Sequence, residues 1–358
     1  MKNIFIIAFV ALSNIVFAQN DSIQKPLSIS AYGEVYYAYD FGNPENHTKP
    51  GFIYSHNRHN EFTVNLAMIK ASYQTENVRS NLALAAGTYM NANYAAETGV
   101  LKNIYEANVG VKISKSKNIW IDAGILPSHI GWESAIGKDN WTLTRSIAAE
   151  NSPYFETGAR LSYTTDNGKW YMSVLTLNGW QRIQRVDDNN TIGFGHQLTY
   201  KLNDKITLNS SSFVGNDKPD SLRQMRYFHN LYGTFQINPK LGIIAGFDIG
   251  AEQKAKSSKQ YNSWYTPVVI VKFQTTEKSN ISARAEYYND KNGVMISTGS
   301  PNGFQTWGYS LNYDYQVTKN LVWRIEGKGY SSKDKVFLKN DDPINSNFCL
   351  TTSLAIAF

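Results

Sequence analysis

The chain has 358 residues, 35 Lys and Arg against 29 Asp and Glu, a net charge of +6 and a mean hydropathy of −0.39. So mild a charge, alternating in sign along the chain, gives no reason to expect nucleic acid as a partner, and the single Cys349 excludes an internal disulfide framework. Tyr (23), Phe (17), Trp (8) and Gly (25) are abundant, and these are residues of strands and turns.

Residues 1–18, MKNIFIIAFVALSNIVFA, read as a secretory signal peptide: Lys2, an apolar run, then Val16-Phe17-Ala18 before Gln19 as the mature start. The run is short and broken by Ser13 and Asn14, which argues against a membrane anchor, and Gln19 rather than cysteine at the junction gives no lipoprotein signal. Loss of Lys2 takes the charge from +6 to +5. No later segment has the ~18 consecutive apolar residues of a spanning helix.

From there to the end, apolar and polar residues alternate with period two, the strand signature. In Ser28–Phe41, Ile29, Ala31, Val35, Tyr37, Tyr39 and Phe41 oppose Ser28, Ser30, Glu34 and Asp40. In Phe62–Tyr73 the apolar row changes parity near Met68-Ile69, which predicts a β-bulge there. In Lys240–Lys254, Leu241, Ile243, Ala245, Phe247 and Ile249 oppose Gly242, Gly246, Asp248, Gly250 and Glu252. In Thr306–Val317, Trp307, Tyr309, Leu311, Tyr313, Tyr315 and Val317 oppose Gly308, Ser310, Asn312, Asp314 and Gln316. The predicted strands are 27–41, 60–75, 78–91, 103–114, 118–126, 156–165, 168–180, 191–202, 205–215, 223–237, 240–254, 261–275, 279–290, 305–317, 320–331 and 346–358. That is about sixteen strands of about ten residues or more, the length a tilted strand needs to cross a bilayer.

The connections alternate between short and long. The short ones, near Glu76-Asn77, Lys115–Lys117, Asp166-Asn167, Asn203-Asp204, Asn238-Pro239, Thr276–Lys278 and Thr318-Lys319, mostly hold the Asn, Asp, Gly or Pro of tight turns. The long ones, 42–59, 92–102, 127–155, 181–190, 216–222, 255–260, 291–304 and 332–345, are polar. One tight end and one loopy end is the layout of an all-β transmembrane antiparallel up-and-down barrel in the bacterial outer membrane. A soluble sandwich would also alternate. It would not tolerate charges of both signs on its inner faces, as at Arg284 and Glu286 or Arg324 and Glu326. The last strand, CLTTSLAIAF, sets Leu350, Leu354, Ile356 and Phe358 on one row; the terminal Phe358 resembles the signal outer-membrane proteins present to the barrel-assembly machinery.

The segment Trp120–Tyr163 resembles the OmpL-like family of putative β-barrel porins, through Gly-Trp-Glu (131–133), Asn140, Thr144-Arg145-Ser146, Pro153 and Thr-Gly-Ala-Arg (157–160). Residues 55–73, SHNRHNEFTVNLAMIKASY, resemble the second strand of that family, and the likeness runs over essentially the whole mature chain. It implies a general-diffusion or weakly selective channel passing small polar solutes and ions, with no catalytic residue to carry over. In porins the loop at the position of 127–155 folds into the lumen and narrows it, so the resemblance implies the same here. A barrel of this size leaves a wet lumen, and selectivity needs a narrower point with fixed charges. The expected constriction charges are Glu133, Lys138, Asp139, Arg145 and Glu150, facing wall residues Arg79, Lys112, Arg160, Arg284 and Arg324. The opposing expectation for this loop is a surface lid.

HNRHNE (56–61) holds metal-ligand residue types, but His56 and His59 lie three apart at a loop-to-strand junction, and a hydrogen-bonded polar rim with Arg58 is the better reading. Ser55/His56 and Ser128/His129 are adjacent, which in a strand sends the side chains to opposite faces; His196 shares a face with Ile192, Phe194, Leu198 and Tyr200. An outer-membrane lipid hydrolase would need a Ser–His contact on the outer face near one rim. No enzyme, metal or cofactor is expected. The expected partners are outer-membrane lipid and lipopolysaccharide, the barrel-assembly machinery, small polar solutes and further copies in a homotrimer. The alternative is a plugged barrel serving as a receptor, adhesin or structural outer-membrane protein.

Overall fold

The computed structural model describes residues 26–358, so the signal-peptide expectation for 1–18 lies outside the described residues. Sixteen strands close into one antiparallel barrel. They are β1 (Leu27–Asp40), β2 (Phe62–Gln74), β3 (Val78–Ala86), β4 (Ile104–Lys112), β5 (Asn118–Pro127), β6 (Phe155–Thr164), β7 (Trp170–Leu177), β8 (Gly193–Asn203), β9 (Ile206–Gly215), β10 (Arg226–Asn238), β11 (Leu241–Gln253), β12 (Tyr261–Gln274), β13 (Ser279–Asp290), β14 (Phe304–Gln316), β15 (Leu321–Ser332) and β18 (Ser346–Ala357). A small hairpin, β16 (Phe337–Lys339) and β17 (Asp342–Ile344), lies in the last long loop and was not expected from the sequence.

β18 closes the barrel by pairing with β15 on one side and β1 on the other. The closing ladder runs to the last residue: the Phe358 N–H donates to the Ala31 carbonyl at 3.0 Å, and the Ala31 N–H to the Phe358 carbonyl at 2.7 Å. Closure satisfies every strand edge internally, which hydrocarbon demands. Alternation then assigns the faces. On β14, Trp307, Tyr309, Leu311 and Tyr315 are exposed outward, while Thr306, Ser310, Asn312 and Asp314 are buried inward. The tight turns, with both ends of the described chain, mark the periplasmic end, and the long loops the other.

Two local expectations are corrected. The bulge sits at Asn65, ahead of Met68-Ile69: Glu34 faces Leu66 while Val35 faces Val64. The extra residue turns Asn65 inward, where its side-chain amide nitrogen donates to Glu34 at 2.9 Å and its side-chain Oδ1 accepts the His56 N–H at 3.0 Å. The strand expected over 78–91 stops at Ala86, and the chain turns into the short helix α1 (Thr88–Asn93). Gly87 makes that turn with φ 130, against the Asn65 carbonyl where a Cβ has no room.

Candidate functional site

β5 ends on Pro127, which has no N–H to extend the ladder, and the chain then enters the barrel interior until β6 begins at Phe155. The intervening loop contains a 3-10 turn at Gly137–Asp139 and a second helix, α2 (Ile147–Glu150), capped by the Ser146 hydroxyl, which accepts the Ala149 N–H. Inward side chains of β13, β14 and β15 hold it. Arg284 donates to Thr142 Oγ1 at 2.9 Å and to the Thr144 carbonyl at 2.8 Å. Arg324 donates to the carbonyls of Gly137 at 2.6 Å and Asn140 at 3.0 Å, and Lys328 to that of Arg145 at 2.7 Å. In return Asn312 accepts the Leu143 N–H at 3.0 Å, and Glu326 and Glu286 accept those of Thr144 and Ile147. Irregular backbone inside a barrel has to be paired this way, because its buried amides have little water to turn to.

The other wall receives the loop by shape. Trp132 and Trp141 lie against Gly246 and Gly242 of β11, where a Cβ at either glycine would collide with the indole. Ile244, Val268 and Ile270 complete this apolar seat. Nearer the loop's start, Ser211 donates to the His129 carbonyl at 2.7 Å, and the His129 ring lies 2.6 Å from Glu156.

Of the charges expected at the constriction, two are turned into the loop's own framework and a third, Glu150, ties it to the first long loop. The Glu133 carboxylate accepts the Ser146 N–H at 3.1 Å and stands 3.6 Å from Arg284. Arg145 is buried and donates to the carbonyls of Ser134, Leu143 and Ala135 at 2.8, 2.7 and 3.0 Å. Glu150 accepts the N–H groups of Tyr54 at 3.0 Å and Ser55 at 3.1 Å, and burial pushes its carboxyl up to about 7. Lys138 and Asp139 stay exposed and pair with each other at 2.7 Å.

All five wall residues face inward. Arg284 and Arg324 lie beneath the loop. Arg79 and Arg160 converge on Asp122 at 2.5 and 3.2 Å, with the Arg79 guanidinium 4.3 Å above the Trp120 ring, and Lys112 is half-buried next to Trp120's row. Sequence reasoning did not single out Lys328, Asn312 or Glu34. The available signal was the period-two run of charges Arg324, Glu326 and Lys328 on one face of β15.

In HNRHNE, Arg58 pairs with Glu61 at 2.8 Å, and His59 Nδ1 accepts the Asp40 N–H at 2.9 Å, as a polar rim requires. His56 instead goes inside, its Nε2 3.3 Å from Glu34. On the outer face His196 does meet serine: its Nδ1 lies 2.5 Å from Ser212 Oγ and its Nε2 3.3 Å from Ser210 Oγ, which is 3.2 Å from His229. A Ser–His nucleophile needs an acid or amide on the second ring nitrogen. A second hydroxyl stands there, and the surrounding N–H groups belong to the β8–β9–β10 ladders.

The family model described as "Putative beta-barrel porin-2, OmpL-like" matches residues 26–358. No curated protein matches the sequence. Among solved structures, the outer-membrane expressed OmpT of Vibrio cholerae superposes with a TM-score of 0.61 at 10% identity, covering 94% of this chain and 99% of that one. An anion-selective porin from Comamonas acidovorans gives 0.61 at 8% identity, over 93% and 99%. The outer membrane channel DcaP of Acinetobacter baumannii gives 0.58 at 9%, over 93% and 97%. At such identities the likeness is one of fold.

Proposed function

The chain belongs to this family, as a bacterial outer-membrane porin, and on that premise we propose that it passes small polar solutes and ions by passive diffusion past loop 128–154 as the constriction. The observation that carries the reading is the loop's double attachment: it is pinned to β13–β15 by Arg284, Arg324 and Lys328 and seated on β11 by two tryptophans. Lys138 and Asp139 are the pair it offers to water, while Glu133 and Arg145 keep its shape and Glu150 ties it to the first long loop. The chain carries out no chemistry in this reading. The test is single-channel recording in a planar bilayer. Ohmic steps that grow when residues within 131–150 are removed support it; a folded, heat-modifiable barrel that inserts silently refutes it.

A plugged receptor has one observation in its favour. Phe52, from the first long loop, packs against Phe304, Tyr330 and Phe337 at ring distances of 4.7, 5.8 and 6.0 Å over the extracellular side. Silent insertion would shift the assignment to it.

For the homotrimer, the support is the outer polar cluster. His196, Ser210, Ser212 and His229 interrupt an otherwise apolar and aromatic surface across β8–β10. Polar groups facing hydrocarbon are expensive, and a second copy is the partner that removes the cost. His196→Leu with His229→Leu would then lower the trimer fraction in mild detergent, and an unchanged oligomer would refute this placement.

A further inference from the structure

The periplasmic half of the wall has a sign that the composition hides. Three inward ion pairs lie there on β2–β6: Lys70–Glu106 at 2.5 Å, Arg79–Asp122 at 2.5 Å and Arg160–Asp122 at 3.2 Å. These three are oriented alike. The cations keep 26, 27 and 20% of their side-chain surface exposed, while Glu106 keeps 4% and Asp122 2%. Water along that side of the lumen therefore meets ammonium and guanidinium groups with the acids behind them; across β14 and β15 the pair Arg324–Asp314, at 2.6 Å, is turned the other way, with Arg324 1% and Asp314 11% exposed.

Three more inward lysines stand at the same depth: Lys112 at the end of β4, Lys201 near the end of β8 and Lys272 near the end of β12. None of the described carboxylates comes within ion-pair distance of them, and the Lys272 ammonium lies 5.6 Å from the Trp141 ring centroid. The turns at this end add seven lysines against four carboxylates. At the opposite end, inward acids are occupied by donors. Asp290 accepts the N–H groups of Val294, Met295 and Ile296, and Asp40 those of Gly42 and the Asn347 amide. Charges closer than the Debye length, about 10 Å at 0.1 M salt, act together on an ion between them.

We propose that the pore selects anions, and that its preferred solutes are small molecules bearing carboxylate or phosphate groups, guided by Lys70, Arg79, Lys112, Arg160, Lys201 and Lys272. This rests on the diffusion-pore reading above. The cations act on the ion in transit, with no bound state required, since conduction needs attraction weak enough to release.

The test is the zero-current potential of the refolded mature chain across a KCl gradient. The expected sign is that of chloride permeating faster than potassium by several-fold. The variant Lys112→Glu, Lys201→Glu, Lys272→Glu is expected to reverse it, and Lys272→Glu alone to move it toward zero. Cation preference in the unmodified chain, or an unmoved potential in a conducting triple variant, overturns the inference and leaves the pore standing. Absence of any current overturns the pore reading beneath it. Should the triple variant fail to fold, the sign measured on the unmodified chain still decides.

Discussion

Removing the Arg284 guanidinium tests most directly whether the loop limits the current. Arg284 gives the loop three hydrogen bonds, to Thr142 Oγ1, the Thr144 carbonyl and Thr144 Oγ1, between 2.8 and 2.9 Å. It also stands between Glu326 at 3.0 Å, Glu286 at 3.5 Å and Glu133 at 3.6 Å, all buried. Arg284→Ala leaves those carboxylates with Lys328, 3.0 Å from Glu286, as their remaining close cation among the described side chains. Breaking a buried pair from one side costs about 3–5 kcal/mol. At about 1.4 kcal/mol per decade, that moves the balance between docked and undocked loop by about two to four decades. The barrel itself is spared, because its strands close through backbone ladders that Arg284 does not enter with its side chain. The assay is single-channel conductance on a chain shown to be folded by heat modifiability. The expected result is a larger or flickering step. Arg284→Lys, which keeps a point charge but loses the planar fork, should fall between the two. An unchanged step from an intact Arg284→Ala barrel would refute the loop as the constriction.

Two further predictions concern the same loop. Gly246→Leu places a side chain where the Trp132 indole lies, so the loop must leave its seat on β11; conductance and Trp132 fluorescence should both change, and an unaltered step would sink the packing argument. Glu150 has its carboxyl raised to about 7 by burial. A group that holds its proton more tightly when docked loses docking free energy as pH rises from its free value toward about 7, by about 3 kcal/mol in all. Protease access to residues 52–61 should therefore rise between about pH 5 and pH 8 and become flat in Glu150→Gln; the same profile in both would refute it.

The barrel was legible because period-two alternation and turn chemistry are local. Ser279–Asp290 follows a Thr-Thr-Glu-Lys turn and alternates to its end, and its bounds agree with the sequence reading. The loop's landing site was not legible. Thr144 bonds Glu326 and Arg324 bonds Gly137, partners more than 180 residues apart in the chain, and no local pattern tells one inward carboxylate from another. The Asn65 bulge and α1 were missed for a related reason. Each is set by what it touches inside, Glu34 and His56 for Asn65, and the Asn65 carbonyl for the Gly87 turn.

Charge shows the same limit more sharply. Picking Glu133, Arg145 and Glu150 as pore charges from their type and loop position assumed that a charged side chain in a lumen faces the water. Burial reverses that assumption: Glu133 and Arg145 hold an N–H and carbonyls of their own loop, and Glu150 holds the N–H groups of Tyr54 and Ser55 in the first long loop. The wall makes the converse point. Its Asp122 and its two arginines cancel in large part when counted, yet the acid is buried and the arginines are not. The potential felt by a passing ion is weighted toward charges that reach the water, because the screening and the distance both favour them. A sequence gives the count of charges. The pleat decides which of them face the lumen, and packing decides which member of each pair lies in front. The sign of a pore is therefore a property of how its ion pairs are turned, and two barrels of equal net charge can select opposite ions.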